Sequence, residues 1–250
     1  MPLHDAEAIV LRHYTLAEAD RIVVLFTREQ GKVRAVGAGA RKTNSRLSAA
    51  LEPLSHLRLQ LYGKEGSELL RIRQCELLHS YLGKDPSPER LCALSYFAEA
   101  ISEFIQENNP APLLFRLLLA LMDVVEKRGI NEALVRYFEL WLLKLNGLLP
   151  DYRYCSACGR CVKGNGFFAS GDSGRGLCDH CAQGRGLPIC AAAGDLILEM
   201  IKLPPAEFGS RSLTGSVGRD LEKLMQRLLL HNLEKHLKAY TGLKEVFRNG

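Results

Sequence analysis

The chain has 250 residues, 47% of them apolar and 24% charged, with a formal net charge of +5. That length and apolar share supply a real core, which excludes an intrinsically disordered chain. No apolar run reaches the ~18 to 20 residues that cross a bilayer: the strongest, LLFRLLLALMDVV from Leu113, is interrupted by Arg116 and Asp123 and reads as a buried helix.

The start, MPLHDAEAIV, lacks the basic-then-apolar pattern of a secretion signal, so a reducing cytoplasm is expected. There, cysteines are metal ligands or buried thiols rather than disulfides. Charge is uneven: +3 over residues 1–80, −2 over 81–150, +2 over 151–190 and +2 over 191–250. A mildly basic chain with basic ends points weakly to an anionic partner.

The first eighty residues read as five strands. EAIVLRHYTL, DRIVVLFTRE, KVRAVGAGA, LSHLRLQLYG and ELLRIRQCELLHS are short and rich in Val, Ile and Leu, several alternating with period two, and Gly31 and Gly63 punctuate them. Five strands in this length predict a small barrel, of OB type or SH3-like. Tyr14, Phe26 and Tyr62 fall on these strands, where an aromatic side chain more often belongs to a core than to a base-stacking platform.

From Asp85 the period becomes helical. Ser87 is placed as N-cap with Pro88 at the first helical position, and Leu91, Leu94, Phe97, Ile101 and Ile105 form one stripe. Asn109 and Pro110 end that helix; others are predicted over Pro112–Arg128 and Glu132–Leu148. After a cysteine-rich segment come a short helix over Ala193–Leu203, stopped by Pro204 and Pro205, and one long helix opening at Ser216 whose stripe runs from Leu221 to Leu237. The predicted architecture is α+β and multidomain: a barrel over 1–80, a helical domain over 81–150, a ribbon over 151–190 and a returning helical part over 191–250.

Cys155-x-x-Cys158 and Cys178-x-x-Cys181, nineteen residues apart, have the spacing of two knuckles that bring four thiolates to a tetrahedral zinc ion. Four thiolates leave no open coordination position, so such a metal is structural. Cys158-x-x-Cys161 is an equally good pair by spacing; the first pair is preferred because Gly159 then follows the second ligand, as Gly184 nearly does in the other half. A redox CxxC belongs in a βαβ setting that is missing here. Cys75, Cys92 and Cys190 read as buried thiols, and His180 as a solvent neighbour.

A second signal is GKVRAVGAGARKTNSRLSAALEP. Lys32, Arg34, Arg41, Lys42 and Arg46 carry five positive charges with no acidic residue between Gln30 and Leu51, and Gly37 and Gly39 let backbone N–H groups approach a polyanion. This is the composition of a phosphate-contacting loop, and equally of an ordinary solvated one. Catalytic vocabulary is missing: no GxSxG, no GxxxxGK[ST], no HExxH and no GxGxxG opening a helix.

The chain resembles the bacterial RecO family of recombination mediators. The likeness rests on EAIVLRHYTLAEADRIVVLFTREQGKVRAVGAGARKTNSRLSAALEPL, on RYFELWLLKLNGLLPDYRYCSACG and on HNLEKHLKAYTGLKEVF. It implies an N-terminal five-stranded OB-type barrel, an α-helical C-terminal domain and an embedded four-cysteine zinc ribbon. It further implies DNA repair and recombination without catalysis: binding of single- and double-stranded DNA, annealing of complementary strands and, with RecR, loading of RecA onto DNA coated by single-strand-binding protein. RecF is a further implied partner. The resemblance carries DNA contact onto Lys32, Arg34, Arg41, Lys42 and Arg46. It also makes Arg136, which opens RYFELWLL, the clamp for the acidic tail of single-strand-binding protein; an exposed arginine or a pair with Glu132 is the plainer alternative. A zinc-ribbon repair enzyme and an RNA-binding module remain the rival functions.

Overall fold

The computed structural model describes residues 3–16, 18–42, 46–64, 67–83, 86–213 and 215–249. Five strands, β1 (Leu3–Thr15), β2 (Arg21–Thr27), β3 (Gly31–Gly37), β4 (Ser55–Tyr62) and β5 (Leu70–Ser80), pair in the order β1-β2-β3-β5-β4. β4 also pairs with β1, so the sheet closes on itself; only the β3–β5 contact is parallel. A short helix α1 (Arg46–Ala50) links β3 to β4.

Alternation drives the closure. Val23 and Leu25, Val33 and Ala35, and Leu57, Leu59 and Leu61 all point inward and are buried. Each fully buried leucine contributes roughly 1.5–3 kcal/mol of transfer free energy. A bulge between Val10 and Arg12 shifts the register of β1 on β2.

The chain divides into two compact units, one comprising residues 1–126 and 239–246, the other 127–238 and 247–250. Helices α2 (Pro88–Phe104), most of α3 (Pro112–Arg128) and most of α8 (Lys238–Asn249) thus belong with the barrel. Ser87 caps α2 by accepting the Arg90 N–H, with Pro88 in the first turn. Phe115 of α3 meets Phe26 edge-on at 5.3 Å, so this strand aromatic is fully buried. Gly31 is obligatory: it has φ +70°, and a Cβ there would sit 1.9 Å from the Asn109 carbonyl oxygen.

The second unit packs α4 (Glu132–Leu145), α6 (Ala191–Met200) and α7 (Gly215–Leu233) around a ribbon. The ribbon holds β6 (Phe167–Ser170) between β7 (Arg175–Leu177) and β8 (Leu187–Ile189), with α5 (Asp179–Ala182) after β7. Asn131 caps α4 by accepting the Leu134 N–H at 2.8 Å. The short helix begins at Ala191 and ends at Met200, and Pro205 opens a 3-10 turn to Glu207.

The single long final helix is corrected to two. Glu234 adopts φ 55°, a left-handed residue that ends the helix, and its N–H closes the last turn on the Leu230 carbonyl at 2.8 Å. Helix α7 therefore ends at Leu233, and Leu237 and His236 lie beyond it. Among the described residues, no helix is long and apolar enough to cross a membrane.

Candidate nucleic-acid interface and metal centre

The basic stretch is a strand, a turn and a helix rather than one loop. Lys32 and Arg34 alternate with the inward Val33 and Ala35 on β3, so they face outward. Lys32 donates to the Ser102 carbonyl at 2.7 Å, and Arg34 Nη2 lies 2.6 Å from Glu107 Oε1. Burial lowers the Lys32 pKa from its ordinary value; Glu107 and Glu103 oppose this, and Arg12 and Arg34 add to it. Arg41 and Lys42 are exposed on the turn after β3. The side chain of Arg46 lies outside the described residues.

The turn's glycines have other partners than those expected. The Gly39 N–H is donated to Asp20 Oδ1 at 2.8 Å, and a Cβ at Gly37 would meet Leu51 Cδ1 at 2.6 Å. They serve closure and packing of the turn, which in turn aims Arg41 and Lys42 outward.

Three further residues belong to this outer surface. Arg12 holds its guanidinium 5.5 Å from the ring of Tyr14, which is 47% exposed. Arg12 and Tyr14 stand two apart on β1, a same-face signal that the sequence carries. Arg71, exposed on β5, pairs across to Val36 of β3 and extends positive charge onto the next strand. Tyr62 is half-buried.

In the second unit the sulfurs of Cys155, Cys158, Cys178 and Cys181 all lie within 4.8 Å of one another. Two knuckles bring them there: Gly159 N–H donates to Cys155 O at 2.9 Å, and Ala182 N–H to Cys178 O at 2.9 Å. A Cβ at Gly166 would fall 2.6 Å from the Ile189 carbonyl, so the hairpin also requires glycine. Cys161 is exposed and outside this cluster, Cys75, Cys92 and Cys190 are half-buried, and His180 is exposed.

The four sulfurs fit a metal cation by their chemistry. Burial opposes ionisation of Cys155, yet the backbone N–H groups of Cys178, Cys158 and Ala157 bring its thiol down to about 6. Cys181, hydrogen-bonded by Cys158 and Cys178, is pushed up to about 12. A first thiolate is therefore preorganised at neutral pH, and the later ones need a cation to offset their mutual repulsion.

Arg136 is not offered to solvent. It is 5% exposed, with Nε 3.1 Å from Oε2 of Glu139, which is fully buried and also accepts from Gln226 Nε2 at 2.9 Å. Glu139, at i+3, is thus an ion partner of Arg136 within the helix.

The family model for Recombination protein O, N terminal, matches residues 1–81, and that for Recombination protein O, C terminal, matches residues 86–241. The chain belongs to the RecO family. It is 33% identical to the DNA repair protein RecO of Koribacter versatilis over 98% of this chain and 99% of that protein. It is 32% identical to the RecO of Anaeromyxobacter sp. strain K, over 95% and 94% of the two chains. The RecO of Pelotomaculum thermopropionicum is 31% identical, over 97% and 94%.

Proposed function

We propose that the chain is a DNA repair and recombination mediator that binds single- and double-stranded DNA and anneals complementary strands. With RecR it helps load RecA onto DNA coated by single-strand-binding protein. The observation that carries this is family membership along the chain, joined to an outer barrel surface where cations gather. The strand order, with one parallel closure between β3 and β5, favours an OB-type barrel over an SH3-like one.

The mechanism is electrostatic. Two strands repel as polyanions, and cations that neutralise both let them approach and pair without ATP. Arg41, Lys42 and Arg46 are assigned to phosphate. Arg34 joins them by exchanging Glu107 for a phosphate, and Lys32 contributes positive potential from beneath. No residue is assigned to bond breaking.

The cysteine quartet is proposed to hold a structural Zn²⁺ through Cys155, Cys158, Cys178 and Cys181; bound there, the ion fixes the ribbon. RecR, RecF, RecA and the tail of single-strand-binding protein are the proposed partners in a cytoplasmic, nucleoid-associated setting. Burial of Arg136 against Glu139 supports a structural task for that arginine more than the tail clamp. The test is annealing of complementary oligonucleotides, bare and coated by single-strand-binding protein, with purified protein and RecR. Acceleration of both supports the reading; cleavage of the DNA instead would favour a repair enzyme.

A further inference from the structure

The ribbon carries an exposed aromatic ring on a rigid support. Tyr154, immediately before Cys155, is 51% exposed. The Arg153 guanidinium lies over one side of its ring, 5.8 Å from the centroid. The Arg153 guanidinium is itself held by three contacts to Asp151, Nε to Oδ1 at 2.9 Å and to Oδ2 at 3.2 Å, and Nη2 to Oδ2 at 2.7 Å. The backbone is fixed as well: Tyr154 and Cys161 form an antiparallel bridge, flanked by Cys155 N–H to Arg160 O at 2.8 Å and Val162 N–H to Arg153 O at 3.0 Å. A ring held out on a rigid support, with a cation on one side, loses little freedom when a second flat group stacks on it.

A cavity lies across the bridge from Tyr154. Its partner Cys161 lines a space of about 540 Å³ between the ribbon and the first turns of α7, a size within the range of small-ligand pockets. Phe168 and Pro188 supply apolar wall, Asn165 an amide, and Asp179 and Asp220 carboxylates. The carboxylates repel a phosphate but accept N–H groups, as Asp220 Oδ2 already does from the Cys190 N–H at 2.9 Å, so the inner lining suits a base and not its backbone. Arg160 on the lining and Lys163 close by in sequence are exposed cations, as are all five basic residues of 151–190.

We propose that this face of the ribbon is a second nucleic-acid site, taking single-stranded DNA with one base stacked on Tyr154 and a neighbouring base in the cavity, its phosphates toward Arg160 and Lys163. The inference rests on the mediator reading above and deepens it: the ribbon becomes a holder of unpaired strand, so each compact unit carries its own contact surface for DNA.

The experiment uses the full chain with its metal. A single-stranded oligonucleotide bearing 5-iododeoxyuridine is photo-crosslinked to the wild-type protein and the adducts are mapped. Affinities for single-stranded and duplex DNA are then measured for Tyr154→Ala and Tyr154→Phe, with metal content as the control for ribbon integrity. Adducts on the peptide around Tyr154 are expected, with about a tenfold loss of single-strand affinity in Tyr154→Ala, retention within about twofold in Tyr154→Phe and little change for duplex. Wild-type binding with adducts confined to residues 1–80, or a metal-loaded Tyr154→Ala that binds normally, overturns the ribbon site and leaves the mediator reading standing. Should Tyr154→Ala lose its metal, the wild-type adduct map alone decides. A wild-type protein that ignores single-stranded DNA overturns both.

Discussion

Arg34 and Glu107 meet at 2.6 Å, tying the outer face of β3 to the segment that follows α2. Their side chains are 50% and 37% exposed, so the pair is worth about 0–1 kcal/mol and a phosphate can take the carboxylate's place at small cost. Glu107→Gln is therefore expected to raise single-strand affinity about two- to fivefold at low salt while moving stability by less than about 1 kcal/mol. Fluorescence anisotropy with a labelled oligonucleotide checks it; an unchanged affinity removes Arg34 from the interface.

Arg136 makes a prediction of a different kind. Removing one partner of a buried pair strands the other charge, at a cost of about 3–5 kcal/mol. Arg136→Ala should remove a counter-ion from the fully buried Glu139 and lower Tm by roughly 10 °C, at ~2–4 °C per kcal/mol for a chain of this size. A loss below about 1 kcal/mol by calorimetry contradicts the structural assignment and returns Arg136 to the tail-binding role.

At the metal centre, Cys158→Ser and Cys178→Ser should each abolish stoichiometric zinc binding and loosen the ribbon. Cys161→Ser, outside the sulfur cluster, should retain it. Elemental analysis after dialysis separates these; zinc loss in Cys161→Ser shows that the first knuckle is drawn from the wrong pair.

Acid should release that metal. Cys155 has a folded-state pKa near 6, below its ordinary value of 9.0, so its ionisation favours the fold above 9 and is lost as pH falls through about 6. Metal capture needs thiolates, so acidification removes both contributions together. Thermal melts between about pH 8 and pH 5 should show the stabilisation by zinc shrinking steadily. A zinc effect that grows on acidification runs against the thiolate assignment.

The features legible in the sequence follow local periodicity. Leu57, Leu59 and Leu61 alternate cleanly, Ser87-Pro88 marks a helix start, and CxxC spacing announces the cysteine cluster, although only the fold selects Cys155 over Cys161 as its member. The features that escape depend on partners remote in sequence. The Gly39 N–H goes to Asp20, nineteen residues earlier, and the Glu139 that buries Arg136 is completed by Gln226, 87 residues later. The break after α7 is hidden because its left-handed residue is Glu234 rather than glycine. Tyr154 gives no signal because nothing local says which aromatic side chains stay in water.

Arg41, Lys42 and Arg46 meeting phosphate are the foundation of the proposed activity. Their most direct test is the rate of annealing of complementary oligonucleotides by the variant carrying Arg41→Glu, Lys42→Glu and Arg46→Glu, measured across a salt titration beside the wild type. The expected result is a rate at least about tenfold slower at low salt, with a binding-versus-salt slope flattened by about 0.7 for each phosphate no longer neutralised. An undiminished rate with the wild-type slope would contradict it.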